Sequence, residues 1–370
     1  MFIKSLKLKH YRNYESLNIQ FAKNFNIIYG DNGQGKTNIL ETIFLCASGR
    51  SHRTSKDHDL IKLNKDEFYI KLDMEKEGID SSIEINLKKN DKKKIKINEI
   101  PIKKVGNLMG HLNAVIFSPE DLMIIKEGPS ERRRFIDITI SQLKPSYFYD
   151  LQQYAKILFQ RNALLKEIQS NRSLMNTLDI WNENLVKVGS RIIKVRKDFI
   201  QRISKEAHLN HSKLTNSTED LKLTYSPSIN FGEKNEISEI EKAFIKKIEI
   251  SISKELMKCI TLNGPHRDDY ELFLNNTSLK LFGSQGQQRT SILSIKLSEI
   301  SIMKEETGEY PVLLLDDVMS ELDNKRQEYL MNNLDKIQTF ITSTDMSFFK
   351  EKVTIDSKTF RIYSGEVLVN

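Results

Sequence analysis

A chain of 370 residues, 39% of them hydrophobic, is long enough to form two lobes around a substantial core. Its formal charge of +7 fits a polyanionic partner such as nucleic acid without requiring one. Two cysteines, Cys46 and Cys259, exclude a disulfide framework and a zinc cluster, and no apolar run nears the roughly 20 residues that cross a bilayer, so a reducing, cytoplasmic setting without a membrane is expected.

In chain order, Phe2 to Lys9 alternates with Leu6 and Leu8 on one face and reads as a half-buried strand rather than a secretion signal. A turn from His10 to Glu15 leads to a second strand, Asn18 to Phe21. Arg12, in that turn, reads either as a neighbour of a bound nucleotide or as a solvated arginine. Asn26 to Tyr29 is a short buried strand. The loop after it, Gly30-Asp31-Asn32-Gly33-Gln34-Gly35-Lys36-Thr37, is G-x-x-x-x-G-K-[ST], the phosphate-binding P-loop. Its glycines let successive N–H groups curl toward an anion, Lys36 reaches the β- and γ-phosphates, and the Thr37 hydroxyl is a hard oxygen ligand for Mg²⁺. Ile39, Leu40, Ile43, Phe44 and Ala47 then recur at helical spacing, which points a helix N-terminus at the phosphates.

Three alternating runs follow, Phe68/Ile70/Leu72/Met74, Ile83/Ile85/Leu87 and Ile95/Ile97, which predict an antiparallel meander. The turn Lys88 to Lys94 carries five lysines, read as a solvated edge that resists aggregation, or else as a track for a phosphate backbone. Ala114 to Phe117 is another buried strand, after which Ser118 and Pro119 suit a helix start. Arg132-Arg133-Arg134 at the start of a long helical region opposes the helix dipole, so partners are expected, either acidic side chains or phosphates. The helical middle, with Trp181, Leu185, Val188, Ile192, Val195, Phe199 and Ile203 in a near-heptad stripe, predicts two long antiparallel helices joined by a loop over Gln169 to Thr177, with the stripe as ordinary core. Leu209 to Glu241 is polar and holds loops and one short strand near Leu221 to Tyr225.

Near the end, Val312-Leu313-Leu314-Leu315-Asp316-Asp317 describes a buried parallel strand tipped by a carboxylate. In P-loop proteins such an acid holds Mg²⁺, and the next carboxylate, Asp317, is placed to polarise an attacking water. Upstream, Ser284-Gln285-Gly286-Gln287 before a helix offers a hydroxyl and backbone N–H groups to a second anion. One chain's nucleotide is already held by its P-loop, so the economical use of that second site is the γ-phosphate of a neighbouring subunit. P-loop, S-x-G-Q, aliphatic-Asp-Asp and Ser320-Glu321-Leu322-Asp323, in that order, resemble an ABC-type ATPase head. The flanking text narrows the resemblance. Leu8 to Tyr14, Gly49 to Thr54, Phe117 to Leu122, Gly128 to Phe135, Gly264-Pro265-His266-Arg267-Asp268-Asp269, Gly283 to Thr290 and Leu314 to Asp323 resemble the RecF family of bacterial recombination mediators, relatives of SMC and Rad50 heads without the long coiled coil.

That resemblance implies an α/β fold: an ATPase head in two halves, 1–130 and 256–370, around a mainly helical inserted lobe, 131–255. It implies an ATP- and Mg²⁺-dependent DNA-binding protein that forms a homodimer with ATP and acts with RecR and RecO where single-stranded and duplex DNA meet. There it would promote recombinase loading in repair, replication and SOS induction. Carried over by position, Gly30 to Thr37 hold ATP, Thr37 and Asp316 hold Mg²⁺, Lys36, Asp316 and Asp317 serve catalysis, and Ser284, Gly286 and Gln287 act in trans. Asp317 stands where ABC proteins usually carry glutamate, and Thr344 where transporters carry a switch histidine, so a slow, switch-like ATPase is expected. The alternatives are an SMC-like head acting as a structural module, and a P-loop kinase or GTPase, for which Asn64-Lys65-Asp66-Glu67 offers only a faint N-K-x-D likeness. His266 reads as part of a structural turn, and Arg267 as a residue that could face phosphate.

Overall fold

The structure is a computed structural model and describes residues 1–232, 236–334, 336–346 and 356–369. It divides into two units, Met1–Leu122 with Ile292–Asn370, and Met123–Ser291. The chain begins with β1 (Phe2–Tyr11), β2 (Tyr14–Gln20), β3 (Phe25–Tyr29), α1 (Lys36–Ser48), β4 (Glu67–Lys76), β5 (Ile79–Lys88), β6 (Lys94–Ile97), β7 (Ile100–Ile102) and β8 (Ala114–Phe117).

The predicted meander is present and larger than expected: a six-stranded antiparallel sheet in the order β2-β1-β4-β5-β6-β7. Period-two alternation puts Phe68, Ile70, Leu72, Ile83 and Ile85 fully inside, while the intervening positions stay polar. A bulge between Ile3 and Ser5 lets Ile3 and Leu6, an odd number of residues apart, both reach the core. The lysine-rich tip is divided. Lys93 donates to the Gly49 carbonyl at 2.7 Å and pairs with Asp57 at 2.8 Å, Lys94 pairs with Asp91 at 2.7 Å, and Lys89 and Lys92 are exposed. The outermost strand, β7, carries Pro101, which blunts the edge.

In the second unit lie α2 (Met123–Lys126), α3 (Pro129–Leu143), α4 (Pro145–Ile168), α5 (Leu178–Thr215), β9 (Leu221–Ser226), α6 (Ile237–Lys258), β10 (Asp269–Leu274), β11 (Thr277–Ser278), α7 (Leu279–Phe282) and the start of α8 (Gln285–Thr307). Helices α4 and α5 run antiparallel: Tyr147 meets Arg196 at 2.9 Å, and Arg161 meets Asn182 at 2.8 Å. The connection contains a 3-10 turn, Arg172–Thr177, where a loop was expected. Of the stripe, Leu185, Val188, Ile192, Phe199 and Ile203 are buried and Trp181 and Val195 partly so, as core packing requires. Helix α5 continues beyond the polar onset at Leu209 because His211 and Leu214 keep a buried face to its last turn. The lobe is more than a helical pair. The fully buried Arg161 joins α4 to Glu255 of α6 at 2.6 Å, and a small sheet, β11-β10-β9, closes one side.

Groups of the protein itself satisfy much of the arginine run. Arg132 is bidentate to Asp269 (2.7 and 2.8 Å), Arg133 donates to the Asp268 carbonyl at 2.6 Å, and Arg134 approaches Glu131 at 3.6 Å. The Gly264–Asp269 segment is a structural junction. His266 lies between the Tyr154 hydroxyl (2.8 Å) and the Thr261 carbonyl (3.2 Å), and burial pushes its imidazole down to about 4, so it is neutral near pH 7. Arg267 is exposed.

The chain then returns to the first unit with β12 (Val312–Asp316), α9 (Asn324–Asn332), β13 (Thr339–Ser343), β14 (Lys358–Tyr363) and β15 (Glu366–Val369). These build a second sheet, β15-β14-β3-β13-β12-β8, parallel except for β15. Its inner strands are continuous apolar runs, with Ile28, Leu314, Leu315, Phe340 and Ile341 fully buried, as a sheet covered on both faces demands. No helix among the described residues is long and apolar enough to cross a membrane.

Candidate nucleotide site

Strands β3, β13 and β12 are adjacent and in parallel register, Tyr29 beside Ser343 and Thr342 beside Asp316, so their C-terminal tips share one edge. Ligands of open α/β sheets bind at such an edge. There the P-loop and the aliphatic-Asp-Asp strand come together across 279 residues: the Thr37 hydroxyl donates to Asp316 Oδ1 at 2.8 Å. A second hydroxyl, Thr342 Oγ1, donates to the same oxygen at 2.7 Å and accepts the Asp317 N–H at 2.9 Å. Burial raises the Asp316 carboxyl above its ordinary range, with the two threonine hydroxyls opposing and the nearby charge of Glu120 adding to the rise.

Lys36, 7% exposed, donates to the carbonyls of Gly30 (2.6 Å) and Asp31 (2.9 Å). Burial lowers its ammonium, against the attraction of Asp317, Asp316 and Asp31. Asp317 adopts a left-handed backbone, φ 54°, braced by Ser320 Oγ donating to its carbonyl at 2.8 Å. Two glycines are required where they stand. A Cβ on Gly30 would sit 2.4 Å from the Ile362 carbonyl oxygen of β14, and one on Gly35, φ 113°, 2.5 Å from the Asn13 amide.

Asn13, on the β1–β2 turn, was not legible as a site residue. Its amide donates to the Gln34 carbonyl at 2.7 Å and accepts from Asn38 at 2.8 Å, while the Tyr14 hydroxyl reaches the Gly35 carbonyl at 3.0 Å and Ser364 N–H reaches Gln34 Oε1 at 2.6 Å. The P-loop is thus gripped from the β1–β2 and β14–β15 turns. A further signal lies in Glu120, an acid just past the buried strand β8, which pairs in parallel with β12.

Arg12 is not a solvated turn arginine. It clamps the fully buried Glu41 of α1 through two hydrogen bonds (2.9 and 2.6 Å), and Ser51 adds a third at 2.5 Å. Burial alone would raise Glu41, but the Arg12 and Ser51 hydrogen bonds outweigh it and hold the carboxyl below its usual range. A depressed folded pKa gives stability that is present above the unfolded pKa and lost as pH falls through the folded one. Arg12→Ala should therefore destabilise the protein at pH 7 by about 2–3 kcal/mol, below the full cost of breaking a buried pair because Arg12 is 22% exposed. The deficit should shrink as pH falls below the ordinary glutamate range, because the unpaired, buried Glu41 of the variant takes up a proton and sheds its charge before the paired carboxylate of the parent does. Denaturant titrations at pH 7 and pH 4 check this, and an equal deficit at both would contradict it.

Thr37 and Asp316 present two hard oxygens at one spot, with the Glu120 charge nearby. This suits Mg²⁺, which takes few protein ligands and completes its shell with phosphate and water. Among the described residues no cluster of three His, Cys, Asp or Glu side chains forms a separate metal site. The faint N-K-x-D segment is a turn in which Lys65 pairs with Glu15 at 2.6 Å.

Ser284, Gly286 and Gln287 belong to the second unit. Ser284 Oγ accepts the Gln287 N–H at 3.2 Å, and Gln287 Oε1 accepts the Ser284 N–H at 2.9 Å, a reciprocal capping box opening α8. Seen from its own chain, the segment is a helix cap. Gly286 has only Ser284 Oγ, at 4.0 Å, where a Cβ would go, so packing within the chain does not demand a glycine there. The preceding Leu281 and Phe282 are 73% and 75% exposed.

The model of the RecF/RecN/SMC N terminal domain matches residues 2–366. The DNA replication and repair protein RecF of Acetivibrio thermocellus is 56% identical over 365 residues, covering 99% of each chain. A solved structure described as the recombination mediator protein RecF with ATP in the RecFOR pathway superposes with TM-score 0.94 at 39% identity, covering 100% of this chain and 97% of that one. The Smc head of Pyrococcus furiosus, at TM-score 0.53 and 15% identity over 100% of this chain and 96% of that one, shares the fold. The ABC-type head, the P-loop meeting its acidic strand and a match along nearly the whole chain agree: this protein is a member of the RecF family of DNA replication and repair proteins.

Proposed function

We propose that the chain is an ATP-gated DNA clamp. Two copies close face to face around two ATP molecules, each P-loop completed by Ser284, Gly286 and Gln287 of the other copy, and hydrolysis opens the pair. The observation that carries the reading is the 2.8 Å contact between Thr37 and Asp316, which brings the P-loop and the acid-tipped strand together from opposite ends of the chain where ATP and Mg²⁺ would bind. Lys36 would neutralise the β- and γ-phosphates, Thr37 and Asp316 would hold Mg²⁺, and Asp317 would orient the attacking water. Mg²⁺, when bound, would supply charge neutralisation at the transferred phosphoryl group.

Gly286 supports the trans role, since a glycine not demanded by packing leaves room for close approach of a phosphate. The positive charge supports a DNA partner. The family supports action at junctions of single-stranded and duplex DNA alongside RecR and RecO, promotion of recombinase loading in replication, repair and SOS induction, and a cytoplasmic site of action. The short Asp317 side chain favours slow turnover that acts as a switch. The test is ATP hydrolysis with and without gapped duplex. The clamp reading predicts slow turnover that rises when DNA is added. Turnover indifferent to DNA would favour a purely structural head, and consumption of ATP only with a phosphoryl acceptor would favour a kinase.

A further inference from the structure

We propose that Glu219, backed by His211, is a positioning residue that sets the Ser284 turn and couples the end of α5 to the trans ATP site. This rests on the reading that Ser284 faces the phosphates of a second copy. The Gln287 amide has two ends. Its oxygen caps the Ser284 N–H, and its nitrogen donates to Glu219 Oε1 at 2.9 Å. A carboxylate only accepts, so Glu219 dictates which way that amide points. With the amide reversed, its NH₂ would face the Ser284 N–H, and the cap would fail. The other Glu219 oxygen is held by Nε2 of His211 at 3.0 Å, and His211 is fully buried in the last turns of α5.

A second link runs in parallel. Asp220, the next residue, meets Nδ1 of His208 at 2.8 Å and exchanges two hydrogen bonds with Asn275: Asp220 N–H to Asn275 Oδ1 at 2.8 Å, and Asn275 N–H to the Asp220 carbonyl at 2.9 Å. Asn275 opens the segment that runs through β11 and α7 to Ser284, and Gln287 closes it. Both ends of this 275–287 segment are therefore tied to Glu219 and Asp220, and these to two histidines of a 38-residue helix. A load that shifts the end of α5, such as DNA or a partner gripping the lobe, would reorient Ser284 without touching the P-loop. Binding of a partner copy's ATP at Ser284 would be felt in α5 by the same route.

The test compares Glu219→Ala and Glu219→Gln, with Ser284→Arg as the control for the trans reading. Sedimentation with a non-hydrolysable ATP analogue and Mg²⁺ gives the dimer midpoint, fluorescent-nucleotide titration gives binding to the monomer, and melting reports folding. Glu219→Ala is expected to weaken the dimer about tenfold or more, the worth of a charge-assisted hydrogen bond, with nucleotide binding to the monomer unchanged. Glu219→Gln retains an acceptor for Gln287 and should recover most of the loss. An unshifted midpoint in Glu219→Ala, while Ser284→Arg abolishes the dimer, overturns the coupling alone. Equal losses in both Glu219 variants that track their melting temperatures also overturn it. A normal dimer in Ser284→Arg removes the trans reading beneath it.

Discussion

Replacing Lys36 by arginine is expected to lower ATP turnover by about a hundredfold or more, the usual cost of removing one preorganised phosphate donor. The ammonium lies within 2.6 Å of the Gly30 carbonyl and 2.9 Å of the Asp31 carbonyl, in a loop closed by Asn13, Tyr14 and Ser364. A planar guanidinium is broader than this space and cannot act there as a compact charge. The loop's grip comes from backbone and neighbouring turns, so the variant should fold normally. Steady-state hydrolysis with a parallel melting curve checks both halves of the statement. Turnover within a factor of two of the parent would remove Lys36 from the chemistry.

Ser284→Arg should separate nucleotide binding from assembly. The P-loop lies in the other unit and holds nucleotide with its own groups, so affinity for ATP should be unchanged. The substituted side chain removes the hydroxyl that caps α8 and fills the position beside Gly286 where a partner's phosphate would come. ATP-dependent dimers should be lost, a change of at least two orders of magnitude in association, because bulk and lost cap act together. Sedimentation velocity with and without nucleotide reads the result directly.

The parts of the fold legible in sequence are those where one short pattern meets one physical demand. Four aliphatics ending in an acid read as β12, and alternation over Phe68 to Met74 reads as β4, because burial on two faces or on one leaves no other pattern. The P-loop was legible because its backbone curl needs its glycines. Thr342 was not: a threonine inside an apolar strand looks like any β-branched residue, and its importance comes from strand order, which places β13 between β3 and β12. Asn13 and Arg12 escaped for a related reason. A turn residue's partner, here Gln34 or Glu41, is chosen by tertiary packing. The C-terminal strands β14 and β15 lack any flanking motif, yet β14 completes the sheet beside β3 and is the reason that Gly30 must be glycine. The arginine run shows the opposite case. The dipole argument correctly demanded partners, and the sequence distance to Asp269 hid which ones.

The reading of this chain as an ATP-closed clamp is tested most directly by its molecular mass in solution, measured by light scattering at saturating non-hydrolysable ATP analogue and Mg²⁺, with and without a gapped duplex. A protein mass of about twice the 43.0 kDa of the single chain is expected when nucleotide is present and the single-chain mass when it is absent, with DNA retained only by the larger species. A mass that stays at 43.0 kDa under saturation, or DNA held equally well without nucleotide, would contradict it.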